Sequence, residues 1–125
     1  MFDNLKNLAG LAGMMKDLPR MKARFEEVKR ELESKAVTAE SGGGAVRATA
    51  TGSLRIVSIE VEPALLKGLV DLEQEEDRAM ASDLITAAVN AALTKARELA
   101  ERELAAAANE LGIPLPAGGL GGMLG

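Results

Sequence analysis

The chain predicts an α+β fold in which a three-stranded antiparallel meander is flanked by two helical segments. Three observations carry this. Apolar residues fall at heptad spacing up to residue 35, alternate with polar residues from there to residue 62, and return to helical spacing after Pro63. Glycines punctuate the alternating part. The length, 125 residues, leaves room for one small core and no second.

The first helical segment has Leu11, Met14, Leu18, Met21, Phe25, Val28 and Leu32 separated alternately by three and four residues. This is an a/d seam, with Leu11, Leu18, Phe25 and Leu32 at one position and Met14, Met21 and Val28 at the other. Pro19 belongs in a first helical turn and Asp17 can cap it, so a helix is expected over about 18–34. The residues before it are expected as a frayed or separate turn, with 1–13 flexible. A seam this narrow requires a partner helix.

Ala36–Glu40 reads as a first strand. In the second, Val46, Ala48 and Ala50 alternate with Arg47, Thr49 and Thr51. In the third, Val57, Ile59 and Val61 alternate with Ser58, Glu60 and Glu62, so each of these runs is expected as a half-buried strand. Gly42-Gly43-Gly44 and Gly52-Ser53 supply the tight connections. A meander of this kind is barely stable until its apolar face is covered. Pro63 ends the third strand, and Ala64–Leu72 reads as a short helical turn.

Glu73, Glu75, Glu76 and Asp77 then lead into a long helix ending near Leu111, where acidic residues suit the positive end of the helix dipole. One stripe of that helix is Ile85, Ala88, Ala92, Ala96 and Leu99; the next is Ala100, Leu104, Ala107 and Leu111. Twelve alanines between Ala79 and Ala108 allow close approach to a neighbour. Gly112 and Pro114 stop the helix, so the domain is expected at 14–111, with 112–125 disordered.

Composition removes several kinds of chemistry. Without Cys or His there is no zinc site of the usual kind, no thiol nucleophile, no imidazole base and no disulfide. Phe2 and Phe25 are the only aromatic residues, too few for a base-stacking platform. The triple glycine lacks a following Gly-Lys-Ser/Thr and leads into a strand, which makes it a hairpin turn and not a phosphate loop. Glu73–Asp77 lacks the spaced ligands and fixed glycine of a cation loop, and reads as a solvated helix start. Glu60 and Glu62 have no nucleophile or pocket beside them, and read as a polar outer face.

No enzyme activity, cofactor, metal or small-molecule substrate is therefore expected. A metal-carboxylate hydrolase is only the remote alternative. The longest uncharged stretch of the main body, Leu84–Thr94, is eleven residues, against roughly 20 for a membrane-spanning helix. Met1–Met15 lacks a basic start, so neither a signal peptide nor a membrane partner is expected, and the cytoplasm is the expected location.

Charge is unevenly placed. The total is 15 Lys+Arg against 19 Asp+Glu, or −4. Residues 1–55 hold ten basic and seven acidic side chains (+3), whereas residues 56–125 hold five and twelve (−7). The first helix and adjoining strands thus form a basic surface on an acidic chain, and phosphate responds to such local potential. On charge and periodicity alone, ordinary solvated charges such as Arg20/Arg24 and Glu26/Arg30 are the favoured account of that helix.

An ordered set of segments adds to this. A Met/Leu-rich opening with glycine and a charged a/d helix precede Val37-Thr38-Ala39-Glu40-Ser41-Gly42-Gly43-Gly44-Ala45-Val46-Arg47-Ala48-Thr49-Ala50-Thr51-Gly52. Ile59-Glu60-Val61-Glu62-Pro63-Ala64-Leu65-Leu66 and Asp83-Leu84-Ile85-Thr86-Ala87-Ala88-Val89-Asn90-Ala91-Ala92 follow. Across most of residues 1–112 the chain resembles the YbaB/EbfC family of bacterial nucleoid-associated proteins.

The resemblance implies a small α-β-β-β-α protomer that forms a homodimer through its sheets and projects its long helices outward. It implies binding to double-stranded DNA in the nucleoid, with little or moderate sequence preference, in the service of chromosome organisation. Carried onto this chain, the DNA-binding candidates are Lys16, Arg20, Lys22, Arg24, Lys29 and Arg30, followed by Lys95, Arg97 and Arg102 of the last helix. Two features depart from the family pattern. Lys67–Ser82 is longer than the usual link and adds acid, and Pro19 is expected to shorten or bend the first helix, which bears on Lys16. The alternative function is a protein–protein interaction module built on the heptad seam and the Ala-rich helix.

Overall fold

A computed structural model describes the backbone of residues 2–112 and the side chains of residues 15–112. Its elements are helix α1 (Phe2–Ser34), strands β1 (Ala36–Ser41), β2 (Val46–Thr51) and β3 (Ile56–Val61), and helices α2 (Pro63–Leu69) and α3 (Glu75–Glu110). The strands form an antiparallel sheet in the order β1-β2-β3, which is the meander read from the sequence. Gly42–Gly44 joins β1 to β2 as a short 3-10 turn with φ of +60°, +65° and +97°, values that favour glycine. A side chain at Gly42 would also press on Leu69 at 3.1 Å and Leu84 at 3.3 Å.

Helix α3 lies across β1 and β2, and small residues set the distance between them. Ala39, Ala48 and Ala50 of the sheet meet Ala88, Ala92 and Ala96 of the helix, all buried, with Val46 beside them. A second cluster joins α1 to the far half of α3: Val28 and Leu32 pack on Ala100 and Ala107, flanked by Phe25, Leu99 and Leu104. The two helices run antiparallel there, since Lys35 pairs with Glu103 while Arg24 pairs with Glu110. Gly52 fixes where α1 leaves the sheet. Its N–H donates to the carbonyls of Leu32 and Lys35 at 3.0 and 2.9 Å, and a Cβ there would come within 2.6 Å of the Leu32 side chain.

Three expectations are corrected. The first helix starts at Phe2, not near residue 18, and Pro19 lies inside it. Residues 15–20 are exposed, so the Met15 carbonyl that loses its partner to the proline ring can be hydrated, while Met, Lys, Ala and Arg on either side favour the helix. The second correction concerns β3. Val57, Ile59 and Val61 are 58, 45 and 40 % exposed, although the alternation had placed them in a half-buried face. Ile59 and Val61 stand opposite Ala48 and Val46 on the face that α3 covers, but the helix lies mainly over the first two strands and reaches the third only in part, where Ile56 packs on the core. Val57 is the extra residue at a register shift beside Thr49/Ala50. Ile85, expected in the helix stripe, is also exposed.

Candidate nucleic-acid interface

The interface begins with the lengths of the two long helices. Arg24 of α1 pairs with Glu110, the last residue of α3, so the turns of α1 before Arg24 run past the end of its partner. That segment is about 33 Å long for residues 2–23 at 1.5 Å per residue. The seam reflects this. Val28 and Leu32 are buried and Phe25 packs beside them, whereas Met21 is half-buried and Leu18 is 50 % exposed. The side chains of Leu11 and Met14 lie outside the described residues.

Charge follows the same division. Residues 15–24 carry Lys16, Arg20, Lys22 and Arg24 against Asp17 alone, while residues 25–34 carry Lys29 and Arg30 against Glu26, Glu27, Glu31 and Glu33. The positive potential is therefore concentrated on the part of α1 that α3 leaves uncovered. Lys16, Arg20, Lys22, Lys29 and Arg30 are exposed, and among the described residues none of them makes an ion pair.

Arg24 differs from these five. Its Nε donates to Glu110 Oε2 at 3.0 Å and its Nη2 to Glu110 Oε1 at 3.4 Å, with Glu27 and Glu31 oxygens 3.5 and 3.7 Å from Nη1. The hydrogen bond that Arg24 donates to Glu110, with the charges of all three carboxylates, raises the pKa of Arg24. Three of the candidates lie on α3. Lys95 donates to the Thr38 carbonyl at 2.8 Å, on the side of β1 away from β2, while Arg97 and Arg102 are exposed between Glu98, Glu101 and Glu103. The structure thus places six candidates on α1, five of them without an ion pair among the described residues, and three on α3.

Elsewhere the surface is polar or apolar without basic excess. Arg47 is held by Glu40, Nη2 to Oε1 at 2.6 Å, and this hydrogen bond raises its pKa, with Glu60 adding to the field. The acidic link is internally bonded: Asp77 Oδ2 accepts from the Asp71 N–H at 2.6 Å, and Asp71 Oδ1 from the Glu73 N–H at 3.0 Å. Among the described residues no group of acidic side chains is arranged to hold a metal ion, and no helix is long and apolar enough to cross a membrane. The feature the sequence reading missed is apolar. Val57, Ile59 and Val61 on β3 and Leu65, Leu69 and Leu72 after it are exposed, and Val61 lines a pocket of about 470 Å³ together with Pro63, Leu66, Val70 and Leu72. One signal pointed to it: a helix surfaced with alanine is too narrow to cover three strands.

Fold and charge define a small α+β protein that presents a basic helix beyond its core. The chain belongs to the YbaB/EbfC DNA-binding family, whose sequence profile matches residues 7–111. It is 40 % identical over 95 residues to a nucleoid-associated protein of Chlorobium phaeobacteroides, covering 76 % of this chain and 78 % of that one. It is 32 % identical over 113 residues to a nucleoid-associated protein of Alkaliphilus metalliredigens, covering 90 % and 93 %. Its fold resembles the crystal structure of an uncharacterized protein from Helicobacter pylori, with a TM-score of 0.50 and 23 % identity over 65 % of this chain and 86 % of that one.

Proposed function

We propose that the protein is a homodimer that binds double-stranded DNA in the cytoplasmic nucleoid, chiefly through phosphate contacts made by α1, with little or moderate sequence preference. The observation that carries this is the basic excess on the projecting part of α1, where Lys16, Arg20 and Lys22 face solvent unpaired among the described residues. Phosphate contacts position a protein on a duplex without reading its sequence, and each one releases counterions. A second copy supplies a second such helix and doubles the field.

The uncovered face of β3 supports the dimer. Among the described residues the largest fully buried side chains are two valines, Val28 and Val46, which makes a thin core, and an exposed run of Val57, Ile59 and Val61 on an edge strand invites a second sheet. On this reading the chain needs no cofactor, metal or small-molecule substrate and carries out no catalysis.

The test is a mobility-shift titration on one duplex at several salt concentrations, comparing the wild type with K16Q/R20Q/K22Q. Wild-type affinity should fall steeply with salt. The triple variant should bind more weakly, with a log–log slope shallower by about 0.9 for each contact removed. No shift at low salt, or an unchanged slope in the variant, overturns the proposal. An interaction module remains the second reading because Leu18 and Met21 leave an apolar stripe that a protein helix could fill. A chain that shifts no DNA at low salt would turn the assignment to it.

A further inference from the structure

We infer that Glu110, at the end of α3, competes with DNA phosphate for Arg24 and so holds DNA affinity below what α1 could deliver. The inference rests on the DNA-binding reading of α1 and adds a regulatory element to the same surface. Lys16, Arg20 and Arg24 are four residues apart, so they form one row of about 12 Å along one helix face. The first two are unpaired among the described residues. The third is turned to Glu110, which takes Nε and Nη2 at 3.0 and 3.4 Å.

Nε and Nη2 form one of the two forks with which a guanidinium grips a carboxylate or a phosphate, so one group excludes the other from that fork. Glu27 and Glu31, 3.5 and 3.7 Å from Nη1, fill the remaining side. Arg24 therefore enters the DNA interface only by exchanging a carboxylate for a phosphate. Glu110 is distant in sequence, at the far end of a different helix, and reaches Arg24 only because α1 and α3 pack antiparallel and α3 stops there. Exposed ion pairs of this type are weak, so the contact attenuates binding and does not block it.

The test is a double-mutant cycle with full-length E110Q, R24Q and R24Q/E110Q, titrated on one duplex at several salt concentrations. E110Q should bind DNA about two- to fivefold more tightly, with a salt slope steeper by up to about 0.9 as one more phosphate contact forms. R24Q should bind no more tightly than wild type, and adding E110Q to it should bring no further gain. An unchanged affinity in E110Q overturns the inference. So does a gain that persists in the R24Q background, because it would then reflect the loss of one negative charge and not the release of Arg24.

E98Q, which removes an exposed carboxylate elsewhere on α3, is the charge-matched control and should leave the slope unchanged. If R24Q fails to fold, the slope of E110Q still decides: a steeper slope supports release of Arg24, and a parallel shift overturns it. Failure of the wild type to bind DNA at all would defeat the proposed function instead, so the two outcomes are separable.

Discussion

Ile59→Ala offers a direct measure of the proposed dimer interface. Ile59 retains 45 % of its surface in the protomer, on an edge strand that α3 covers only in part. Complete burial of an isoleucine side chain contributes about 1.5–3 kcal/mol. The fraction still exposed then contributes about 0.7–1.4 kcal/mol when a partner covers it, and a two-fold interface counts every residue twice. The alanine variant should therefore weaken the dimer by about 1.5–2.5 kcal/mol, roughly 10- to 70-fold in dissociation constant. Sedimentation equilibrium over a range of loading concentrations reads that constant directly. Ile59→Lys, which brings a charge to the same place, should leave only protomers at concentrations where the wild type is dimeric. Glu60→Gln, one residue along on the polar face opposite Arg47, should change nothing. A dimer constant unaffected by Ile59→Lys would refute the reasoning, because a face that tolerates a lysine is not buried against a second copy.

Two further outcomes follow from the thin core. If folding is coupled to association, the thermal unfolding midpoint should rise with protein concentration, and an unchanged midpoint over a hundredfold range would count against an obligate dimer. Gly52→Ala should destabilise the protein by about 1–3 kcal/mol in urea titration, since the added Cβ lies 2.6 Å from the Leu32 side chain and 3.0 Å from its backbone carbonyl. Stability within a few tenths of a kcal/mol of wild type would mean that α1 is not held against the β2–β3 turn as described.

Much of the fold was legible before any coordinates. The alternation from Val46 to Thr51, the triple-glycine turn and the alanine stripe at Ala88, Ala92 and Ala96 are local signals, and the strands and helix stand where they point. The exposed positions of Lys16, Arg20 and Lys22 could be anticipated, since they lie off the a/d seam. Pro19 misled because propensity rules describe a buried helix interior; in an exposed stretch, water can reach the carbonyl that proline leaves free. The apolar side chains of β3 misled for a different reason. Alternation says that one face is apolar without saying what covers it, and here α3 covers the neighbouring strands far more fully than β3.

Periodicity and composition settled the element order, the small-residue packing of α3 on the sheet and the absence of imidazole and thiol chemistry, because each depends on neighbours within a turn or a strand. Packing between distant segments decided which cations are available. Arg24 and Glu110 are 86 residues apart, and Lys95 and Thr38 are 57 apart. Glu27, three residues on, is the local neighbour that Arg24 pairs with, but nothing local points to Glu110. The pairing with Glu110 arises from where α3 ends against α1, which follows from the summed burial of Val28, Leu32, Ala100 and Ala107. A charge's sign is a property of its residue, whereas its freedom to meet a phosphate depends on which carboxylate the tertiary structure brings beside it.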